Sequence, residues 1–179
     1  MQTGKESEIL RDDGLLGWRY QNHCYIGCRA RHPVAVERLL RRKENASSFS
    51  EPIIWMSSLE QWKSFVPTLH PRVETLLFYH QRPLIVYCRE WLGLPNLLAD
   101  ANGRMAIQLT PSSFIQYFAS TTHPPVAVIR MVPETHGKGV DLDWADHWLP
   151  EEVQEWGSGK RKPKEVAITY TDSGELLFL

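Results

Sequence analysis

Two groups of basic side chains carry the first sign of chemistry in this chain. Arg29, Arg31, Arg38, Arg41, Arg42 and Lys43 form one block, and Lys160, Arg161, Lys162 and Lys164 form a second. Asp141, Asp143, Asp146, Glu151, Glu152 and Glu155 lie between them in sequence. Clustered guanidinium groups suit phosphate, because their planar fork matches its oxygens. Together the blocks suggest a basic rim for a nucleotide or an RNA backbone, against the alternative of ordinary solvated surface. Other constellations reach less far. Cys24 and Cys28, four apart on a strand, face one side, with His23 and His32 near in sequence; a zinc site needs a further closing pair, and none follows. Spacing places no histidine beside a thiol, so no cysteine nucleophile is assembled with its base. His136-Gly137-Lys138-Gly139 lacks the glycines and the strand-to-helix setting of a phosphate loop. Asp141, Asp143 and Asp146 gather oxygens, but without the glycine and terminal glutamate of a calcium loop they read as a solvated acidic face. No self-sufficient catalytic motif is present.

The elements that must position these residues interleave along the whole length. The sequence predicts a short helix over 7–11 stopped at Gly14, then strands at 15–18 and 24–27 around a polar turn. Pro33 opens a helix over 33–43, where its missing N–H costs nothing, and Val36, Leu39 and Leu40 give that helix an apolar stripe. A Ser- and Asn-rich loop over 44–51 leads to a buried strand at 52–56. Ser57 or Ser58 caps a helix over 59–66, with Gln61 placed as in a capping box. A helix over 71–79 and a strand over 83–88 follow, then a long connection to an Asn102-Gly103 turn and a strand over 104–109. A helix to 119, a strand over 125–132, an irregular stretch over 133–148, a short helix over 150–156 and a terminal hairpin (165–170 with 175–179) complete the order. This pattern argues an α/β fold, a mixed sheet with helices packed on it.

Size and composition bound the rest. The chain has 179 residues, 42% of them hydrophobic, and a net charge of −1, which fits one domain over 1–179 that needs no disulfide or metal to hold it. The near-zero charge does not advertise nucleic acid or membrane binding by the chain as a whole. Three cysteines, an odd count, favour reduced thiols. With no apolar leader and no run approaching the ~18 residues of a membrane span, a cytoplasmic location is expected.

The order of segments resembles the YrdC-like family over nearly the whole length. The stretch through Tyr25-Ile26-Gly27-Cys28-Arg29-Ala30 is similar to the family's opening strand, Tyr-Gly-Leu-Gly-Cys-Asp-Ala. The helix 33–43 is similar to its Pro-Glu-Ala-Val-Glu-Arg-Ile helix ending in Lys, and 52–61 to its Pro-Leu-Ile-Val…Ser-Leu-Glu-Gln stretch. Pro83-Leu84, the strand 103–109, Pro125-Val126-Ala127-Val128 and the final hairpin continue the pattern. The resemblance implies a twisted open mixed sheet with a basic concave face. It also implies a link to threonylcarbamoyl-AMP synthases, which use threonine, bicarbonate and ATP to prepare a tRNA modification, and to members described mainly as RNA-binding. ATP, with Mg, is then the implied nucleotide, and RNA or tRNA the implied partner.

The departures fall on the family's polar positions. Of its Lys-x-Arg motif Lys43 remains, but the arginine position reads Asn45. Its Ser-x-Asn motif reads Arg130-Met131-Val132, and the arginine of Val-Arg-Ile-Pro reads Gln108. The threonines of the opening turn read Tyr20 and Asn22, and a serine near the final hairpin reads Lys164. Packing positions are kept while donors that would stabilise charge are not, so the fold can stand without the reaction. The expected contacts for nucleotide or RNA are Lys43, Arg41, Arg42, Arg104, Gln108, Arg130 and Lys164. Three readings stay open: a nucleotide- or RNA-binding protein with reduced or no synthase activity; an active synthase with a rebuilt site; and a partner-binding module using Trp144, Trp148 and Trp156.

Overall fold

The computed structural model describes residues 8–9, 12–20, 23–45, 49–79, 83–109, 125–131, 142–149 and 166–179. Its strands are β1 (Leu16–Tyr20), β2 (His23–Arg29), β3 (Ile53–Met56), β4 (Leu84–Cys88), β5 (Met105–Leu109), β6 (Val126–Arg130), β7 (His147–Trp148), β8 (Val166–Tyr170) and β9 (Leu176–Phe178). The helices are α1 (Pro33–Asn45), α2 (Leu59–Phe65) and α3 (Pro71–Tyr79). All nine strands join one sheet in the order β7-β1-β2-β6-β3-β5-β4-β8-β9. β1–β7, β3–β5 and β4–β8 are parallel and the remaining pairs antiparallel. The sheet is therefore mixed and open, with β7 and β9 at its edges.

Side-chain alternation divides the sheet into two faces. Ile26, Cys28, Ile54, Met56, Val86, Cys88, Met105, Ile107, Ala127, Ile129 and Ile168 face one side and are buried with Val36 and Leu39 of α1, Trp62 of α2 and Val73 and Leu77 of α3. That cluster is the main core, and all three described helices lie over it. The alternate positions Leu16, Trp18, Tyr25, Trp55, Val126 and Val128 form a second buried cluster with Leu149 on the other face.

Local chemistry sets the helix boundaries. Ser58 Oγ accepts from the backbone N–H of Gln61 at 3.1 Å, which satisfies one first-turn donor of α2. The Gln61 side chain returns the bond one residue earlier than the capping-box pattern expects, its Oε1 accepting from Ser57 N at 2.7 Å. The bend before β5 is built by Asp100, whose Oδ1 accepts from the N–H groups of Asn102 and Arg104. Gly103 supplies the φ of 67° that the bend requires and that other residues rarely adopt.

The structure departs from the sequence reading in a few places. α1 runs two residues past Lys43, to Asn45. Phe49, assigned to a loop, bridges to Met131. His147–Trp148, read as irregular, is the edge strand β7, paired in parallel with β1. Two residues are too few to show a period. β7 is fixed instead by partners distant in sequence: Asp146 Oδ2 accepts from Leu15 N at 2.7 Å, Asp146 N donates to Leu15 O, and Leu149 N donates to Gly17 O. Of the helix expected over 7–11, only Glu8 and Ile9 fall among the described residues, and both are helical. The expected helices over 110–119 and 150–156, the turn at 136–139 and the second basic block lie outside the described residues.

Candidate functional site

The face opposite the helices carries the features that chemistry could use. One row of directly paired residues crosses six strands: Arg29, Val126, Trp55, Gln108, Ile85 and Ala167. A parallel row places Trp18, Tyr25 and Arg130 side by side. Trp18 stacks on Tyr25, with ring centroids 5.8 Å apart and planes 9° from parallel. Trp55 lies 5.7 Å from Trp18 and 5.1 Å from Tyr25. The three rings form a continuous aromatic cluster over β1, β2 and β3. Gly27 makes room for it, since a Cβ there would stand 2.7 Å from Trp18 Cη2 and 3.1 Å from Ala127 O.

Gln108 closes this cluster. Its side chain is 1% exposed and Trp55 is 2% exposed. Trp55 Nε1 donates to Gln108 Oε1 at 3.0 Å. Gln108 Nε2 is buried and has no hydrogen-bond partner among the described residues, as is true of Trp18 Nε1. Buried N–H donors without partners are uncommon. Two of them on one cluster make this face the place where an acceptor is wanting.

The expected contact residues do not all meet here. Arg130 projects from β6 beside Tyr25, and its backbone N–H donates to Ser50 Oγ. Lys43, at the end of α1, pairs with Glu51 at 2.5 Å, just before β3. Arg41 is an exposed side chain whose ion pair among the described residues is a long contact to Glu37, 3.9 Å. Arg42 lies close enough to Asp146 to lower its carboxyl pKa. Arg104 shares the face but is committed elsewhere. It forms an ion pair with Asp100 at 2.9 Å and lies over the Tyr87 ring at 4.9 Å. Burial opposes ionisation of Asp100, but the bonds from Arg104 and Asn102 outweigh it and hold the carboxyl below its usual range. Lys164 lies outside the described residues.

Other expected features resolve into packing. Cys28 is fully buried and burial pushes its thiol far up; Cys88 is likewise pushed up to about 12 by burial. Cys24 is partly exposed and only raised, by burial first, with Arg19 opposing. Among the described residues, no three His, Cys, Asp or Glu side chains converge as metal ligands would. Arg38, counted with the basic block, is bound to Asp146 and to Asp13 O. Trp144 packs edge-on against Phe49, and Trp148 lies where a Cβ on Gly17 would stand. Both tryptophans expected at an interface are thus used within the fold, and Trp156 lies outside the described residues. The residues that sequence reading missed are Trp18, Tyr25 and Trp55. Their shared parity on three predicted strands was legible; the adjacency of those strands was not.

No family model matches the sequence, and no curated protein matches it by sequence. Solved structures do. The chain superposes on P. abyssi Sua5 with a TM-score of 0.68 at 16% identity, covering 92% of this chain and 52% of Sua5. It matches E. coli YciO with a TM-score of 0.66 at 13% identity, over 92% of this chain and 82% of YciO. It matches full-length HypF, in a phosphate- and nucleotide-bound form, with a TM-score of 0.71 at 16% identity, over 98% of this chain and 28% of HypF. The fold is YrdC-like. The chain spans about half the length of the Sua5 structures it matches. Within the YrdC-like frame, the aromatic cluster with Gln108 lies on the sheet face opposite the three described helices.

Proposed function

We propose that this chain is a divergent YrdC-like protein that binds a nucleotide or RNA, is related to tRNA threonylcarbamoyladenosine modification, and has reduced or no synthase activity. One observation carries this reading. At the position where the family resemblance puts a nucleotide-binding arginine stands Gln108, 1% exposed and hydrogen-bonded to a tryptophan. Nucleotidyl chemistry depends on positioned charge, and losing one such donor costs about 10²–10³ in rate. A neutral amide supplies neither charge nor fork, and the rings of Trp18, Tyr25 and Trp55 stand beside it. Lys43, the one motif cation retained, faces the competing carboxylate Glu51.

Binding without turnover needs less. Arg41, Arg42, Lys43, Arg130 and Lys164 offer electrostatic contact to phosphates. The structures of Sua5 with L-threonine and of HypF with phosphate and nucleotide support a ligand-binding role for the fold, and this chain inherits that possibility only through its architecture.

The test titrates the purified protein with ATP and with tRNA at two salt concentrations. Salt-sensitive tRNA binding without pyrophosphate release is the expected result, with the salt slope falling by about 0.7–0.9 for each phosphate-contacting arginine removed. Pyrophosphate release that requires threonine and bicarbonate would establish the synthase instead. No response to either ligand would leave a partner-binding module.

A further inference from the structure

A second candidate site lies at the end of the sheet, away from the aromatic cluster. The neighbouring parallel strands β4 and β8 finish side by side, and their chains part, one toward the loop after Glu90 and the other into the turn to β9. A cavity of about 510 Å³ opens there, ample for a small molecule. Ligands of α/β proteins favour such crevices at the carboxyl ends of strands.

Two tyrosines and a histidine line its walls. Tyr87, the last residue but one of β4, stands on one side and Tyr170, the last of β8, on the other. His70 stands at the start of α3, where the backbone N–H of Arg72 donates to its Nδ1 at 3.1 Å. Its ring lies against Gly174, where a Cβ would come within 2.1 Å. The rim carries Arg89, Glu90 and Asp172, all exposed. None of these three makes an ion pair among the described residues, whereas Glu51, Asp100 and Asp146 are all paired.

Both rim carboxylates act on Tyr170. Burial first, then Cys88, then Glu90 and Asp172 raise the pKa of its hydroxyl. Two unpaired carboxylates beside a phenol ring make a cation receptor, because both the charges and the π face attract positive charge. The opposite wall already shows this preference, with the Arg104 guanidinium seated 4.9 Å from the Tyr87 ring centroid.

We propose that this cavity binds a small organic molecule through a protonated amine, held by Glu90 and Asp172 against the Tyr170 ring. Arg89, on the same rim, pairs with a carboxylate if the ligand carries one. Simple amines and amino acids share the recognised group and are separated by experiment. The proposal is independent of the nucleotide or RNA reading, which concerns other residues.

The experiment measures binding of putrescine, L-alanine and acetate to the full chain by ligand-observed NMR. At least one amine-bearing probe is expected to bind in the millimolar range or tighter, with acetate silent. Glu90→Gln and Asp172→Asn, both at exposed positions and checked for folding by circular dichroism, are each expected to weaken that binding about fivefold. In Arg89→Ala, loss confined to L-alanine assigns the amino-acid class, and tighter putrescine binding assigns the amine class. No amine binding up to about 10 mM, equal binding of acetate, or affinity unchanged in both carboxylate variants overturns the proposal.

Discussion

The Trp55–Gln108 pair yields the sharpest stability prediction, because the effect of Gln108→Leu depends on what stands at position 55. Trp55→Phe shrinks a ring that is 2% exposed and leaves Gln108 Oε1 without its donor. The truncation costs about 1–2 kcal/mol, and the orphaned buried amide adds about 1–3 kcal/mol. Gln108→Leu alone removes an Nε2 that already lacks a partner and orphans the indole N–H. Those two effects oppose each other, and the net change is expected within about 1 kcal/mol. In the Trp55→Phe background, Gln108→Leu deletes a polar group with no partner left. It is then expected to restore about 1–3 kcal/mol, raising Tm by roughly 2–4 °C per kcal/mol at this chain length. Urea unfolding followed by far-UV circular dichroism, on wild type, both single variants and the double variant, closes the cycle. If Gln108→Leu destabilises the Trp55→Phe protein as much as it does the wild type, the hydrogen bond is not what holds this pair. The account of a polar group closing the aromatic face then fails.

Gly27→Ala drives a methyl into Trp18 and toward Ala127 O. Overpacking of this kind costs about 1–3 kcal/mol, readable in the urea midpoint, and Trp18→Leu should relieve much of it. Thiol titration of the native protein should find Cys24 alone reacting on the minute timescale at pH 8, because burial keeps Cys28 and Cys88 protonated; all three should react in denaturant. The Asp146 carboxyl lies below its usual range: burial opposes this, but the bonds from Leu15 N and Arg38 outweigh it. Its contribution is therefore present above the unfolded pKa and fades as pH falls through the lower folded value. Asp146→Asn should lower stability at pH 7 by about 1 kcal/mol or less, given its exposure. It should also flatten the acid limb of a stability–pH profile.

Local pattern was enough for most elements. Pro33 with its apolar stripe marks α1, Ser58 and Gln61 mark the start of α2, and Asn102-Gly103 marks the bend before β5. Each is set by side chains within a turn or two of the backbone they act on, so each can be read from a window of sequence. The order of segments likewise carried the YrdC-like resemblance, and the fold shared with Sua5 and YciO agrees with it at 13–16% identity.

The candidate site was legible only in part. Gln108 and Arg130 were marked as altered positions, but nothing local showed that Gln108 would be buried against Trp55, 53 residues away. The basic block on and before α1 suggests, with the second block, a basic rim. In the structure, Arg38 turns to Asp146 and Lys43 to Glu51, pairings fixed by where β7 and β3 fall. Sequence by itself determined which residues alternate, where helices begin and which polar groups are available. Tertiary structure alone decided that β1, β2, β3 and β5 bring three rings and one amide together, and that β4 and β8 end beside each other with two carboxylates that form no ion pair among the described residues. The physical reason is that strand order is set by the burial of the whole sheet against its helices, a sum over distant residues that no short window contains.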